Sequence, residues 1–339
     1  MKKYLLILIC LPALLFTACK KELSDNFITY SNHPLNDTAW VKHFSTTGSI
    51  NDCFDLFRPD KLLVDSFNAQ TGGTVNFGDS ISLTFPANAL LTQSGSGLPS
   101  DIVKLFVLPI RTKGDFIKFF KPTTTADGSI LETGGGLYVR AFCGDNEVSL
   151  APGVRVKIRF TDVDIPKPNM QAFYGKESIP FLVKGIDTAN SWFRDSDTSY
   201  LPLWSKLSNN PPTSSYYGYE LNAVNLRWMS AERYTDSSLP KVKVTAILPP
   251  NFTNKNTAVF AVFANQKTVV NLNGDYPSRS FFANRIPLKT AMKLISVSKI
   301  GGDFYIGVTN ISSVEAVTSY KILPEKESFH DLLKHLDSL

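Results

Sequence analysis

The chain has 339 residues, 43% of them hydrophobic, and a net charge of +5. Its length exceeds the usual single domain and favours two, and its apolar share is enough for packed cores, which excludes a disordered tail. The weak positive balance falls to +3 without Lys2 and Lys3, which leaves no electrostatic footprint for nucleic acid, so no nucleic-acid partner is expected.

Residues 1–18 have the three-part layout of an export signal: Lys2 and Lys3, an apolar run from Tyr4 to Phe16, then Thr17 and Ala18. The run is shorter than the roughly 20 apolar residues of a membrane-spanning helix and is followed by Lys20, Lys21 and Glu22, so cleavage is expected. Leu15-Phe16-Thr17-Ala18-Cys19 resembles the lipobox of bacterial lipoproteins, with Phe16 where Leu is usual. The resemblance implies that Cys19 is acylated, palmitate included, and becomes the mature N-terminus. The protein is then expected at the outer membrane, lipid-anchored and facing the periplasm or the surface. Several acyl chains make such an anchor firm, because each buried CH₂ contributes about 0.8 kcal/mol.

Residues 19–60 read as a tether, mixed in composition and holding one short helix near Asn51 to Phe57. From residue 61 to 164 short strands alternate with period two. Ile81, Leu83 and Phe85 are followed by Val103, Leu105 and Val107, by the run Leu137 to Phe142, and by Val154, Val156, Ile158 and Phe160. This spacing predicts an antiparallel β-sandwich. Glycines between the runs, Gly134-Gly135-Gly136 among them, read as turn punctuation. The Pro-bearing stretch from Asp162 to Pro168 suits a domain junction. A second β-rich domain is expected over 165–324, with strands at Lys241 to Leu248, Ala258 to Phe263, Met292 to Val297 and Phe304 to Val308. Over 325–339, Phe329, Leu332, Leu333 and Leu336 fall at helical spacing behind Ser328 and Asp331, which predicts a capped C-terminal amphipathic helix. The fold class expected is mainly β: tandem antiparallel sandwich-like domains with a short C-terminal helix.

Thr71-Gly72-Gly73-Thr74-Val75, followed by Ile81 to Leu90 with its Pro86-Ala87-Asn88-Ala89-Leu90 ending, resembles the opening of the ZU-type sandwich of ankyrins and netrin receptors. Taken with Thr123 to Gly128, Met170-Gln171-Ala172-Phe173-Tyr174-Gly175 and Leu226-Arg227-Trp228-Met229, the chain is similar to uncharacterised outer-membrane lipoproteins of the Bacteroidota type. That likeness implies architecture and location and carries no activity. Some ZU-type domains cut themselves at His-Phe-Ser. The His43-Phe44-Ser45 of this chain precedes the first strand and reads as coincidence, since self-cleavage needs a strained, positioned peptide.

Chemistry-bearing residues are sparse. His33, His43, His330 and His335 lack metal-ligand spacing, so neither metal nor cofactor is expected. The acidic pairs Asp162/Asp164 and Asp195/Asp197 read as solvated loop residues. Cys53 and Cys143 either pair in an oxidising compartment or stand as two buried thiols. Two sets of residues are candidates for binding. Arg155, Lys157 and Arg159 form a basic row on one strand face, and an ordinary solvated sheet face is the stronger explanation of it. Trp192, Trp204 and Trp228 offer a platform for sugar rings, which core packing also explains. The function expected is a non-catalytic binding or scaffolding lipoprotein of the cell envelope, its partner a protein or a glycan. The alternative is a carbohydrate-active or peptide-processing enzyme whose site is assembled in space.

Overall fold

In the strand Ile81–Phe85, Ile81, Leu83 and Phe85 are buried while Ser82 and Thr84 stay partly exposed, as a half-wet antiparallel sheet demands. The same alternation recurs in Val156–Thr161. The computed structural model describes residues 34–42, 48–58, 62–178, 186–209, 212–235, 238–316 and 318–339. Cys19, the export segment and His43-Phe44-Ser45 lie outside them. The chain divides into Met1–Asp37 and Thr38–Leu339. In the first, Pro34–Asn36 form one 3-10 turn; all that follows concerns the second.

The fold is mainly β with a short C-terminal helix, and among the described residues the strands form three sheets. The first runs Leu63–Asn68, Ile102–Ile110, Leu131–Cys143, Arg227–Tyr234, Gln171–Gly175, Trp192–Arg194, and the paired short strands Leu90–Thr92 and Asn146–Leu150 join it, the latter bonding to Leu131–Cys143. The second runs Leu203–Asn209, Pro212–Ala223, Val156–Thr161, Ile81–Phe85, Gly73–Phe77. These two sheets sandwich a core that includes Leu83, Val103, Leu105, Val139, Ile158 and Leu221. Strands from both sides of the 162–168 stretch belong to this sandwich, and that stretch carries the chain from the second sheet to the first.

The third sheet draws on Lys241–Ile247, Thr257–Phe263, Val269–Asp275, Ser280–Pro287, Met292–Ile300 and Asp303–Ile311, with short edges Ser319–Lys321 and Glu325–Glu327. The strand pairings are antiparallel except that Lys241–Ile247 runs parallel to Ser319–Lys321. One face of this sheet encloses its own core, with Val244, Val259, Leu272, Phe281 and Leu294.

Helices α1 (Ser49–Leu56), α2 (Lys113–Lys118) and α3 (Phe329–Asp337) fill a further core against the outer face of the first sheet. Tyr138, Trp192 and Trp228 from that sheet meet Phe54, Phe116 and Leu336 from the helices and Phe260 and Ile295 from the third sheet. Thr112 caps α2 through a reciprocal box with Asp115, and Ser328 caps α3 by accepting from the Asp331 amide. In α3 the stripe buries Leu332 and Leu336 completely, each contributing about 1.5–3 kcal/mol, and leaves His330 and His335 exposed.

Gly134-Gly135-Gly136 depart from the sequence expectation: they lie inside the strand Leu131–Cys143, not at a turn. A Cβ on Gly134 would run into the Tyr219 ring, and Gly135 has φ +97°. The opposite strand shifts register between Ser230 and Glu232, so the glycines serve a bulge and a close aromatic contact.

Candidate binding groove

The described residues singled out in the sequence do not come together in one place. Cys53 lies in the helix-filled core and Cys143 in the sandwich core; both are free, buried thiols. The disulfide is therefore not formed, because the first sheet stands between them. Cys143 donates to the Ser100 carbonyl at 3.2 Å, and burial pushes the Cys53 thiol up to about 12.

The basic row is present on the outer face of the second sheet, but acidic partners occupy it. Glu220 on the neighbouring strand takes Arg159 at 2.7 Å and Lys157 at 3.6 Å, and Asp197 lies 4.0 Å from Arg155. Nor do the three tryptophans form a platform. Trp192 and Trp228 are 0% and 1% exposed, so no sugar ring reaches them. The Trp192 indole N–H donates to the Pro122 carbonyl at 3.0 Å. Trp204 is partly buried on the second sheet, away from the other two.

Polar side chains border hollows in at least two places. One is a hollow of about 390 Å³ beside the first sheet, bordered by Lys113, Glu132, Asp162, Asp164, Lys167 and Lys267. Its charges pair internally. Lys267 holds Asp162 and, at 3.2 Å, Asp164; Glu132 takes Lys167 and, at 2.6 Å, Arg233. Lys113 donates to the Phe263 carbonyl at 2.6 Å. Asp162 is thus part of a buried ion pair, where the sequence suggested a solvated loop. Across from Thr133 sits Glu232, fully buried, with no well-formed hydrogen bond to either oxygen. Burial pushes its carboxyl up to about 8, against the lowering influence of the nearby Ser230 and Thr133 hydroxyls and of Lys267.

The other place is a groove of two adjoining hollows, about 240 Å³ and 490 Å³, that share Thr188, Asn190, Asn271 and Asn273. Its origin is visible in one strand. In Val269–Asp275, Val270 and Leu272 point into the core of the third sheet. On the other face Val269 packs against the helices, and at Asn271 and Asn273 that face turns polar and open. Asn284, from the next strand, and Arg285 border the larger hollow. Arg285 donates to the Asp127 carbonyl at 2.6 Å and lies 3.5 Å from its carboxylate. Hydrogen bonds from the Thr125 and Ser129 hydroxyls hold that carboxyl down at about 2.

The opposite wall is fastened from below. Lys121, 2% exposed, donates to the carbonyls of Lys176 at 2.6 Å and Ala189 at 3.3 Å and lies 5.2 Å from the Trp228 ring centre. Desolvation lowers its ammonium to about 8 despite Asp187 and Glu177. The Lys176 amide donates to the Ser191 carbonyl and the Trp192 amide to the Thr124 carbonyl, each at 2.9 Å. Asn190 is therefore carried on a braced segment. Behind Phe281 and Gly274, which border the smaller hollow, Trp40 packs against the third-sheet core, its ring centre 5.0 Å from that of Phe281.

Sequence reading missed this groove. The available signal was the alternation of Val270 and Leu272 with Asn271 and Asn273, which marks a half-exposed strand with amides on its outer face. Among the described residues, no group of three or more His, Cys, Asp or Glu is placed to hold a metal ion, and no helix is long and apolar enough to cross a membrane. The chain matches no protein-family model, no curated protein and no solved structure.

Proposed function

We propose that this chain is a lipid-anchored cell-envelope lipoprotein whose body is a binding or scaffolding module, seated at the outer membrane by acyl chains on Cys19, with the amide groove as its ligand seat. The observation that carries the reading is the groove itself: side-chain amides from two paired strands and a braced wall open to solvent on a rigid support. Sites on sheet scaffolds hold their polar groups in fixed positions, which is what selective non-covalent recognition needs. The export layout and the lipobox resemblance support the location.

Two measurements test it together. Cys19→Ser is expected to abolish metabolic palmitate labelling and to release the protein from the membrane fraction; normal labelling would overturn the anchor. Whole protein carrying Asn190→Ala, Asn273→Ala and Asn284→Ala is expected to lose the envelope component that the unaltered protein retains on a column. Equal retention would overturn the groove as the seat.

One observation favours the enzyme reading. A carboxyl lifted to about 8 by burial, as at Glu232, is the kind of group that serves as a general acid. Glu232 is completely enclosed and does not border the adjoining hollow, so the binding reading accounts for more of the molecule.

A further inference from the structure

We infer that the groove takes a neutral, polyhydroxylated ligand, a stretch of uncharged glycan; the inference rests on the groove being the ligand seat. The wall chemistry sets the class. Asn190, Asn271, Asn273 and Asn284 each present a donor NH₂ and an acceptor carbonyl, and such groups match sugar hydroxyls, which also donate and accept. Asn271 and Asn273 are only weakly joined to each other, at 3.4 Å, so their capacity is available for a ligand.

Charge points the same way. The guanidinium that borders the larger hollow, Arg285, is answered by Asp127, which leaves an anionic ligand without a free guanidinium to bind. Lys42, at the other hollow, is one cation at the rim. A peptide lying as an added strand needs an open sheet edge. Val269–Asp275 offers only interrupted lengths of edge, because residues 269–272 pair with Thr257–Phe263 and residues 273–275 pair with Ser280–Pro287.

The test uses full-length lipidated protein in detergent micelles, titrated with neutral oligosaccharides of glucose, mannose, galactose, xylose and N-acetylglucosamine, with oligogalacturonate, and with a random heptapeptide mixture. Tryptophan fluorescence and calorimetry report binding. The expected result is saturable binding of at least one neutral oligosaccharide. It should weaken about tenfold or more in the Asn271→Ala, Asn273→Ala double variant, as the loss of two net hydrogen bonds requires. Because Asn273 is exposed and Asn271 only half-buried, the double variant is expected to keep the unaltered melting temperature, and that is checked alongside. Groove-dependent binding of only the peptides or only oligogalacturonate overturns the neutral-sugar assignment and leaves the binding seat standing. Sugar binding unchanged in the double variant overturns the groove as the seat. Silence across the neutral panel overturns the glycan inference.

Discussion

Glu232 and Lys121 are two ionisable side chains buried in and beside the first sheet, and burial moves them in opposite directions on the pH scale. Glu232 is lifted from 4.5 to about 8. Between those values the folded state holds a proton that the unfolded state has lost, so its contribution to stability is complete below about pH 4.5 and is lost as pH rises through 8. For a fully enclosed group the loss is on the order of 5 kcal/mol over the window. Lys121 is lowered from 10.5 to about 8. There the unfolded state carries the extra proton between 8 and 10.5, and stability recovers as pH rises through that range. Urea midpoints at pH 5, 8 and 10 should therefore pass through a minimum near 8. Glu232→Gln is expected to remove the fall between 5 and 8, and Lys121→Met the recovery above 8. A Glu232→Gln protein with the parent's slope from pH 5 to 8 would contradict the buried-acid assignment. Neither role was legible in the sequence, because nothing in Ser230-Ala231-Glu232 or in Phe120-Lys121-Pro122 marks which side of a strand or loop is sealed by residues distant in the chain.

At the level of elements, the period-two runs were legible because they are local. Ile81, Leu83 and Phe85 on one strand and Val156, Ile158 and Phe160 on another each settle their own buried face, and α3 follows from Ser328, Asp331 and the Leu332 and Leu336 stripe. The triple glycine misled because its role depends on a distant partner. Gly134 lies against Tyr219, whose hydroxyl is fixed by the Lys167 amide at 2.8 Å and by Asp162, so the ring has little freedom to withdraw. Gly134→Ala is expected to destabilise the protein by about 1–3 kcal/mol, as overpacking does. Gly97→Ala, where an added Cβ meets nothing within 4 Å, should leave the unfolding midpoint unchanged. Equal midpoints for both variants would show that the Tyr219 contact places no limit on the strand.

For the whole molecule, composition and alternation led correctly to stacked antiparallel sheets, while the groove required the fold. Its walls join Thr124 and Thr125, Asn190, Asn271 and Asn284, positions that only the meeting of the first and third sheets brings together. The sites that sequence favoured are used otherwise: Trp192 and Trp228 build the core, and the basic row is matched by Glu220 and Asp197. The thiols of Cys53 and Cys143 also provide a quiet background for locating the ligand. Both are buried, and that of Cys53 is held at about 12, so neither reacts readily with a maleimide. The most direct measurement compares maleimide labelling of full-length Asn273→Cys and Lys157→Cys proteins with and without envelope extract. Slower labelling at 273 and an unchanged rate at 157 is the expected result. Protection at 157 with none at 273 would place the ligand on the second sheet and contradict the groove.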